Sequence, residues 1–189
     1  MFRDLRPGVV VYLAHCLLDQ NTKAPGLVSE KTINAADRVI GLLRALNVGI
    51  VQMPCPEFTH LGLLRPKQTR DQYDSTAYRR RCRAIAEQML NEIEDYHRAG
   101  VIVACILGIE GSPSCGVEWT TKGWGEKSEK TRGKGILIQE LQTLLEQRNL
   151  IIPTIGIPEK PKYGDIEEAL KRVEEAVKGA QSIRRKTYL

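Results

Sequence analysis

Aromatic side chains are scarce in this chain: Phe, Trp and Tyr make up 5% of its 189 residues. With no basic stripe interleaved with aromatic rings, the sequence offers no platform for stacking nucleobases, and nucleic acid is not expected as a partner. No apolar run approaches the roughly 18 residues that a membrane-spanning helix needs. No membrane association is expected. Residues Met1 to Arg6 carry charges and lack the cleavage-site pattern of an export signal, so a soluble, cytoplasmic protein is the expectation. Internal repeats and low-complexity linkers are absent too, which leaves one domain over residues 1–189, long enough to bury one substantial core.

The five cysteines are an odd number in a chain with no visible export signal. That argues against a disulfide framework and for free thiols or metal ligands. The formal charge of +5 comes from basic residues spread through the helices, with clusters at Arg79–Arg83, Lys122–Lys134 and Arg184–Lys186. Such an excess suits an anionic substrate, or is simply a solvated surface.

Pro7-Gly8 introduces the continuous apolar run Val9–Ala14, the pattern of a strand buried on both faces. A polar loop through Asp19–Thr22 leads to a helix from about Asn34, with Ala36, Val39, Ile40, Leu43 and Leu46 on one face. Ile50–Met53 is a second strand, closed by Pro54-Cys55-Pro56-Glu57. Phe58–Asp74 reads as a long irregular loop folded over the strand ends. A helix over residues 75–98 aligns Tyr78, Cys82, Ile85, Met89, Ile93 and Tyr96, and a third strand follows at Val101–Ile106. Trp119–Lys134 reads as a mobile flap whose Trp119 and Trp124 either cover a planar ligand or, as is more usual for Trp in a loop, simply anchor it. A helix over Ile136–Arg148 precedes a fourth strand, Leu150–Ile157. Asp165 then caps a final helix through about Ala180, leaving residues 181–189 as a frayed basic tail. This alternation predicts a Rossmann-like three-layer α/β/α sandwich with a mainly parallel sheet of four or five strands.

The stretch Leu107–Gly116, Leu-Gly-Ile-Glu-Gly-Ser-Pro-Ser-Cys-Gly, breaks a strand into a loop that brings backbone close to something. Cys115 ends that loop, and Cys16 and Cys55 stand in the same relation to their own strands. Parallel strands put such loops on one edge of the sheet, where ligands bind, so the three thiols can converge although far apart in sequence. Three thiolates around one point suit a soft metal ion or an iron-sulfur cluster. Because clusters and structural zinc sites normally have four protein ligands, three leave one position open. Cys82, on an apolar helix face, and Cys105, inside a strand, read as core.

The segments Ala14-His15-Cys16-Leu17-Leu18-Asp19-Gln20-Asn21-Thr22, Pro54-Cys55-Pro56-Glu57 and Gly111-Ser112-Pro113-Ser114-Cys115-Gly116 resemble the three cysteine motifs of the thiouracil desulfidase family. His15 and Phe58-Thr59-His60-Leu61-Gly62 are similar to a related desulfidase branch. The resemblance covers about residues 8–157 and implies a 4Fe-4S cluster held by Cys16, Cys55 and Cys115. One iron then lacks a protein ligand and binds the sulfur of a small thiolated compound, water replaces that sulfur at carbon, and sulfide leaves. The first loop departs from the better-known members, which carry an Arg-Tyr-Asp-Gly stretch not found here.

Hydrolytic loss of sulfur needs a base for water and a proton for the ring or the departing sulfur. Glu57 and Glu110 are the carboxylates placed for this, with Glu57 preferred as the base because it lies next to a ligand. Ser112 is the candidate donor of a hydrogen bond in catalysis, and Ser114, His15, His60 and Glu110 are candidate substrate contacts. His15 has a second possible role as a fourth ligand, which would close the site. The alternatives to a desulfidase are a sensor or sulfur carrier that holds sulfide without turnover, and a zinc-thiolate protein with a structural site.

Overall fold

The computed structural model describes residues 4–188; the start of the charged N-terminal segment and Leu189 of the basic tail lie outside them. In chain order the elements are β1 (Val9–Ala14), α1 (His15–Leu18), α2 (Glu30–Ala45), β2 (Gly49–Met53), α3 (Pro56–Leu61), α4 (Arg70–Tyr73), α5 (Thr76–Arg98), β3 (Ile102–Ile109), β4 (Trp119–Lys122), β5 (Glu129–Arg132), α6 (Ile136–Gln147), β6 (Thr154–Ile157) and α7 (Ile166–Tyr188). Four strands form a parallel sheet in the order β2-β1-β3-β6. Helices α2 and α7 pack together on one face, and α5 and α6 on the other. This is the three-layer architecture that the alternating pattern predicts.

The interior strands are the most apolar ones, as they must be when helices cover both faces. Every residue of β1 is buried, and so are the last six of β3. Tyr12 from β1 meets Tyr96 of α5 edge-on, while Met89, Ile93, Leu137 and Leu141 fill the same layer. No helix among the described residues is long and apolar enough to cross a membrane.

Four boundaries differ from those that periodicity suggests, each for a local reason. Helix α2 begins at Glu30, because Ser29 and Thr32 cap each other reciprocally. The stretch read as a loop over 58–74 holds two short helices, α3 and α4, the second started by the same device between Thr69 and Gln72. The last sheet strand starts only at Thr154, since Pro153 has no N–H to give the ladder and instead accepts from Ile106 through its carbonyl. The segment read as a frayed tail is helical to Tyr188, with Arg184 donating to the Pro7 carbonyl at 2.7 Å.

Trp119–Lys134 is likewise no free flap. Strands β4 and β5 pair antiparallel, Trp119 opposite Arg132 and Lys122 opposite Glu129. The turn between them is tied down by α4: the Gly123 N–H donates to Asp71 at 2.8 Å, and the Thr69 hydroxyl donates to the Gly123 carbonyl at 2.6 Å.

Candidate active site

Three adjacent strands end at one edge of the sheet, and each hands the chain to a turn that carries a cysteine. After β1 the backbone enters α1, which places His15 and Cys16. After β2, Cys55 is the cap of α3: its sulfur accepts the Phe58 N–H at 3.4 Å, and Pro56 fills the first helical position, where no donor is needed. After β3 the chain folds back on itself, with the Ile109 N–H donating to the Cys115 carbonyl at 3.1 Å. That loop also closes the start of α6, whose first N–H groups would otherwise lack partners. Ile136 donates to the Pro113 carbonyl at 2.9 Å, while Leu137 and Ile138 donate to that of Ser114 at 3.0 and 3.2 Å. The Cys115 loop is therefore braced by a strand on one side and a helix on the other.

Cys16, Cys55 and Cys115 line one cavity of about 420 Å³. Cys82 and Cys105 lie in the core, away from it. A broader hollow of about 720 Å³, between the start of α2 and the turn after β6, holds no cysteine. Burial pushes the Cys16 thiol up to about 11 and raises Cys55 and Cys115 as well, and the three also repel one another's negative charge. Thiolates in such a place require a cation among them. Among the described residues no three His, Cys, Asp or Glu side chains are gathered tightly enough for a single metal ion. Three soft donors lining a cavity of about 420 Å³ fit an iron-sulfur cluster.

Beside the thiols runs a hydrogen-bonded chain. Glu57, in the first turn of α3, accepts from the Ser114 hydroxyl at 2.8 Å and the Ser112 hydroxyl at 3.4 Å. Its other oxygen lies 3.6 Å from Arg65 Nε. Arg65 is itself buried and donates to the carbonyls of Thr22 at 2.8 Å and Gly62 at 3.2 Å. Tyr78 of α5 shares a 2.6 Å hydrogen bond with the Ser114 hydroxyl. Ser112 Oγ accepts two backbone N–H groups, from Ser114 at 3.2 Å and Cys115 at 3.0 Å. With both acceptor positions taken, its own hydrogen turns outward, to Glu57 or to a ligand.

The cavity brings together His15, Cys16, Cys55, Glu57, Glu110, Ser112 and Cys115 from the sequence-derived set, but not Ser114 or His60. Ser114 is fully buried behind Glu57, its hydroxyl taken up by Glu57 and Tyr78, so it orients the carboxylate and does not line the cavity. His60 is exposed and does not line the cavity, its ring 5.2 Å from that of Tyr78. Glu110 reaches the cavity wall, yet its carboxylate accepts the N–H groups of Glu118 at 3.2 Å and Trp119 at 2.8 Å, a staple that fixes the loop. Neither tryptophan covers the cavity. Trp119 carries Lys130 and Arg132 at 4.4 and 4.0 Å from its ring centre, and Trp124 is 66% exposed. The hairpin borders the cavity through Thr121, Ser128, Glu129 and Lys130 instead. His15 stands on the wall with Nδ1 held 2.5 Å from the Gln52 amide, which leaves Nε2 for a ligand.

Sequence reasoning missed Arg65, Tyr78, Lys23 and Glu159 as parts of this site. Glu159 had a signal: Pro158-Glu159 follows β6 as Pro56-Glu57 follows Cys55. Arg65 stands out as a single cation beside the apolar Leu61–Leu64. Nothing in the sequence joins Lys23 to Glu159, 136 residues away, or Tyr78 to Ser114.

A family model described as "Putative 2-thiouracil desulfurase" matches residues 9–148. The uncharacterized protein MJ0003 of Methanocaldococcus jannaschii is 29% identical over 169 residues, which cover 89% of this chain and 97% of that protein. Among solved structures, the 4Fe-4S-dependent thiouracil desulfidase TudS is similar over 76% of this chain and 89% of its own, at 19% identity and a TM-score of 0.43.

Proposed function

The chain belongs to the Putative 2-thiouracil desulfurase family, and from that premise we propose that it is a desulfidase that removes sulfur from a small thiolated compound of the thioamide type and releases sulfide. The observation that carries the reading is the meeting of Cys16, Cys55 and Cys115 with Glu57 on one cavity wall. The three thiols would hold a 4Fe-4S cluster with one iron free of protein ligands, and the bound cluster supplies a soft Lewis acid for the sulfur of a C=S group.

The remaining chemistry falls to side chains. Replacing sulfur by oxygen consumes one water, whose proton must be accepted, and delivers protons to the departing sulfur. Glu57 is the base: it sits beside the ligand Cys55, and its carboxylate is aimed by Ser112, Ser114 and Arg65. A base held by fixed neighbours contributes about 10²- to 10⁴-fold to such a step. Ser112, with its hydrogen free to turn outward, donates to the substrate when Glu57 is engaged with water. His15 offers Nε2 to the edge of the ring, because Gln52 holds the opposite nitrogen.

Anaerobic reconstitution with iron and sulfide, followed by incubation with a panel of thiolated pyrimidines and other thioamides, tests the proposal. Brown protein and release of sulfide are expected. Protein that stays colourless and instead takes up stoichiometric zinc would overturn the cluster, and brown protein that liberates no sulfide from any member of the panel would overturn the activity.

A further inference from the structure

One buried ion pair borders the cavity without a part in the hydrolysis. Lys23 turns inward from the loop between α1 and α2, and its ammonium donates to Glu159 Oε2 at 2.8 Å and to Cys16 Sγ at 3.5 Å. Both side chains are more than nine-tenths buried, at 7% and 8% exposed, and both line the cavity. A buried lysine-glutamate pair is a poor source of stability, since the cost of stripping water from two charges offsets their attraction. The pair is also incompletely matched, because Glu159 Oε1 is buried with no hydrogen-bonding partner among the described residues. Its stabilising value does not explain its place, but the sulfur beside it does.

We propose that Lys23, held in position by Glu159, is a fixed positive charge that hydrogen-bonds the Cys16 sulfur and stabilises the more anionic states of the bound cluster, both the reduced state and the sulfide-bound one. The inference rests on the reading of Cys16, Cys55 and Cys115 as cluster ligands. The reduction potential of a cluster follows its net charge and the hydrogen bonds to its sulfurs, and a partner in the outer layer conditions the ligand it touches. An ammonium 3.5 Å from a ligand sulfur favours every addition of negative charge, whether an electron or a sulfide ion. Glu159 opposes that effect with its own charge while it anchors the lysine. Lys23 is thus a positioning and tuning residue, with no contact to the reacting carbon required.

The test uses the full chain reconstituted anaerobically, with the midpoint potential read by spectroelectrochemistry and sulfide affinity by spectroscopic titration. Lys23→Met is expected to move the midpoint to more negative values and to weaken sulfide binding about tenfold or more. Glu159→Gln, which removes the opposing negative charge and keeps an acceptor for the ammonium, is expected to move the midpoint the other way. Lys23→Arg should restore values near those of the unaltered protein. Loosened packing would move the Lys23→Met and Glu159→Gln variants in the same direction, so opposite shifts separate a charge effect from damage. Fully loaded Lys23→Met with an unaltered midpoint and sulfide affinity overturns the inference, as do shifts of equal sign. Should Lys23→Met fail to load, Glu159→Gln decides alone, and a midpoint at or below the unaltered one overturns it. If the unaltered protein assembles no cluster, the ligand reading itself has failed.

Discussion

Gly135→Ala makes the most exacting demand on the site without touching any side chain in it. A Cβ built at Gly135 would lie 2.5 Å from the Ser114 carbonyl oxygen and 2.7 Å from the Cys115 nitrogen. Ordinary contact begins at 3.4 Å and the Ser114 carbonyl carbon is closer still than its oxygen, so the Cys115 loop would have to retreat by roughly 0.9 Å or more. It cannot retreat freely, because Pro113 and Ser114 hold the first turn of α6 and Cys115 holds Ile109 of β3. Overpacking of this kind costs about 1–3 kcal/mol. For a chain of this size that lowers the melting temperature by roughly 2–4 °C per kcal/mol. Gly179→Ala in α7 is the internal reference: a Cβ there meets nothing within 4 Å, and the helix should gain roughly 0.5–1 kcal/mol. Circular dichroism melts of the two variants, with iron and sulfide content measured after anaerobic reconstitution, check both halves. Gly135→Ala with an unaltered melting temperature and a full cluster would refute the claim that the loop is wedged between strand and helix.

Glu57→Gln should keep the brown colour and lose about 10²- to 10⁴-fold in sulfide release, and full activity in that variant would remove Glu57 as the base. Replacing Cys16, Cys55 or Cys115 by Ala should abolish the visible absorption of reconstituted protein, whereas Cys82→Ala should retain it; retained colour in any of the first three would dismiss that residue as a ligand. Tyr78→Phe removes the 2.6 Å hydrogen bond to Ser114 and should cost about 0.5–1.5 kcal/mol in denaturant unfolding, with a further loss of turnover as Ser114 and Glu57 loosen. Removing the cluster with a chelator and oxidant should lower the thermal midpoint, since a group that ties three turns together stabilises only the folded chain; equal midpoints with and without cluster would count against that.

What the sequence disclosed follows from where the physics is local. The runs Val9–Ala14 and Val101–Ile106 are continuous and β-branched, so β1 and β3 are legible from burial alone, and with them the edge at which Cys16 and Cys115 emerge. The short helices α3 and α4 were hidden because four or six residues carry no period, and because α3 is capped by a cysteine followed by a proline that reads as a breaker. Strands β4 and β5 alternate no apolar residues, being held by ladder pairing and by α4 rather than by burial. The three cysteines that line the cavity were visible from three turns at strand ends. The fate of Ser114 was not: a serine two residues from an outward-facing one looks identical in sequence, and only the approach of Tyr78 from a different helix decides that it faces inward.

The anchoring of the β4–β5 hairpin at its tip has a consequence for traffic through the site. With Gly123 fastened to Thr69 and Asp71, the tip of the hairpin is held against α4. Among the cavity-lining residues are four long side chains, Lys67, Lys130, Lys160 and Lys162, of which Lys130 is held to the Lys162 carbonyl at 2.7 Å. A doorway of that construction widens and narrows by rotamer changes, which take picoseconds to nanoseconds at exposed positions. A small molecule then reaches the thiols by side-chain rotation at Lys67 and Lys160, with no rearrangement of the hairpin required.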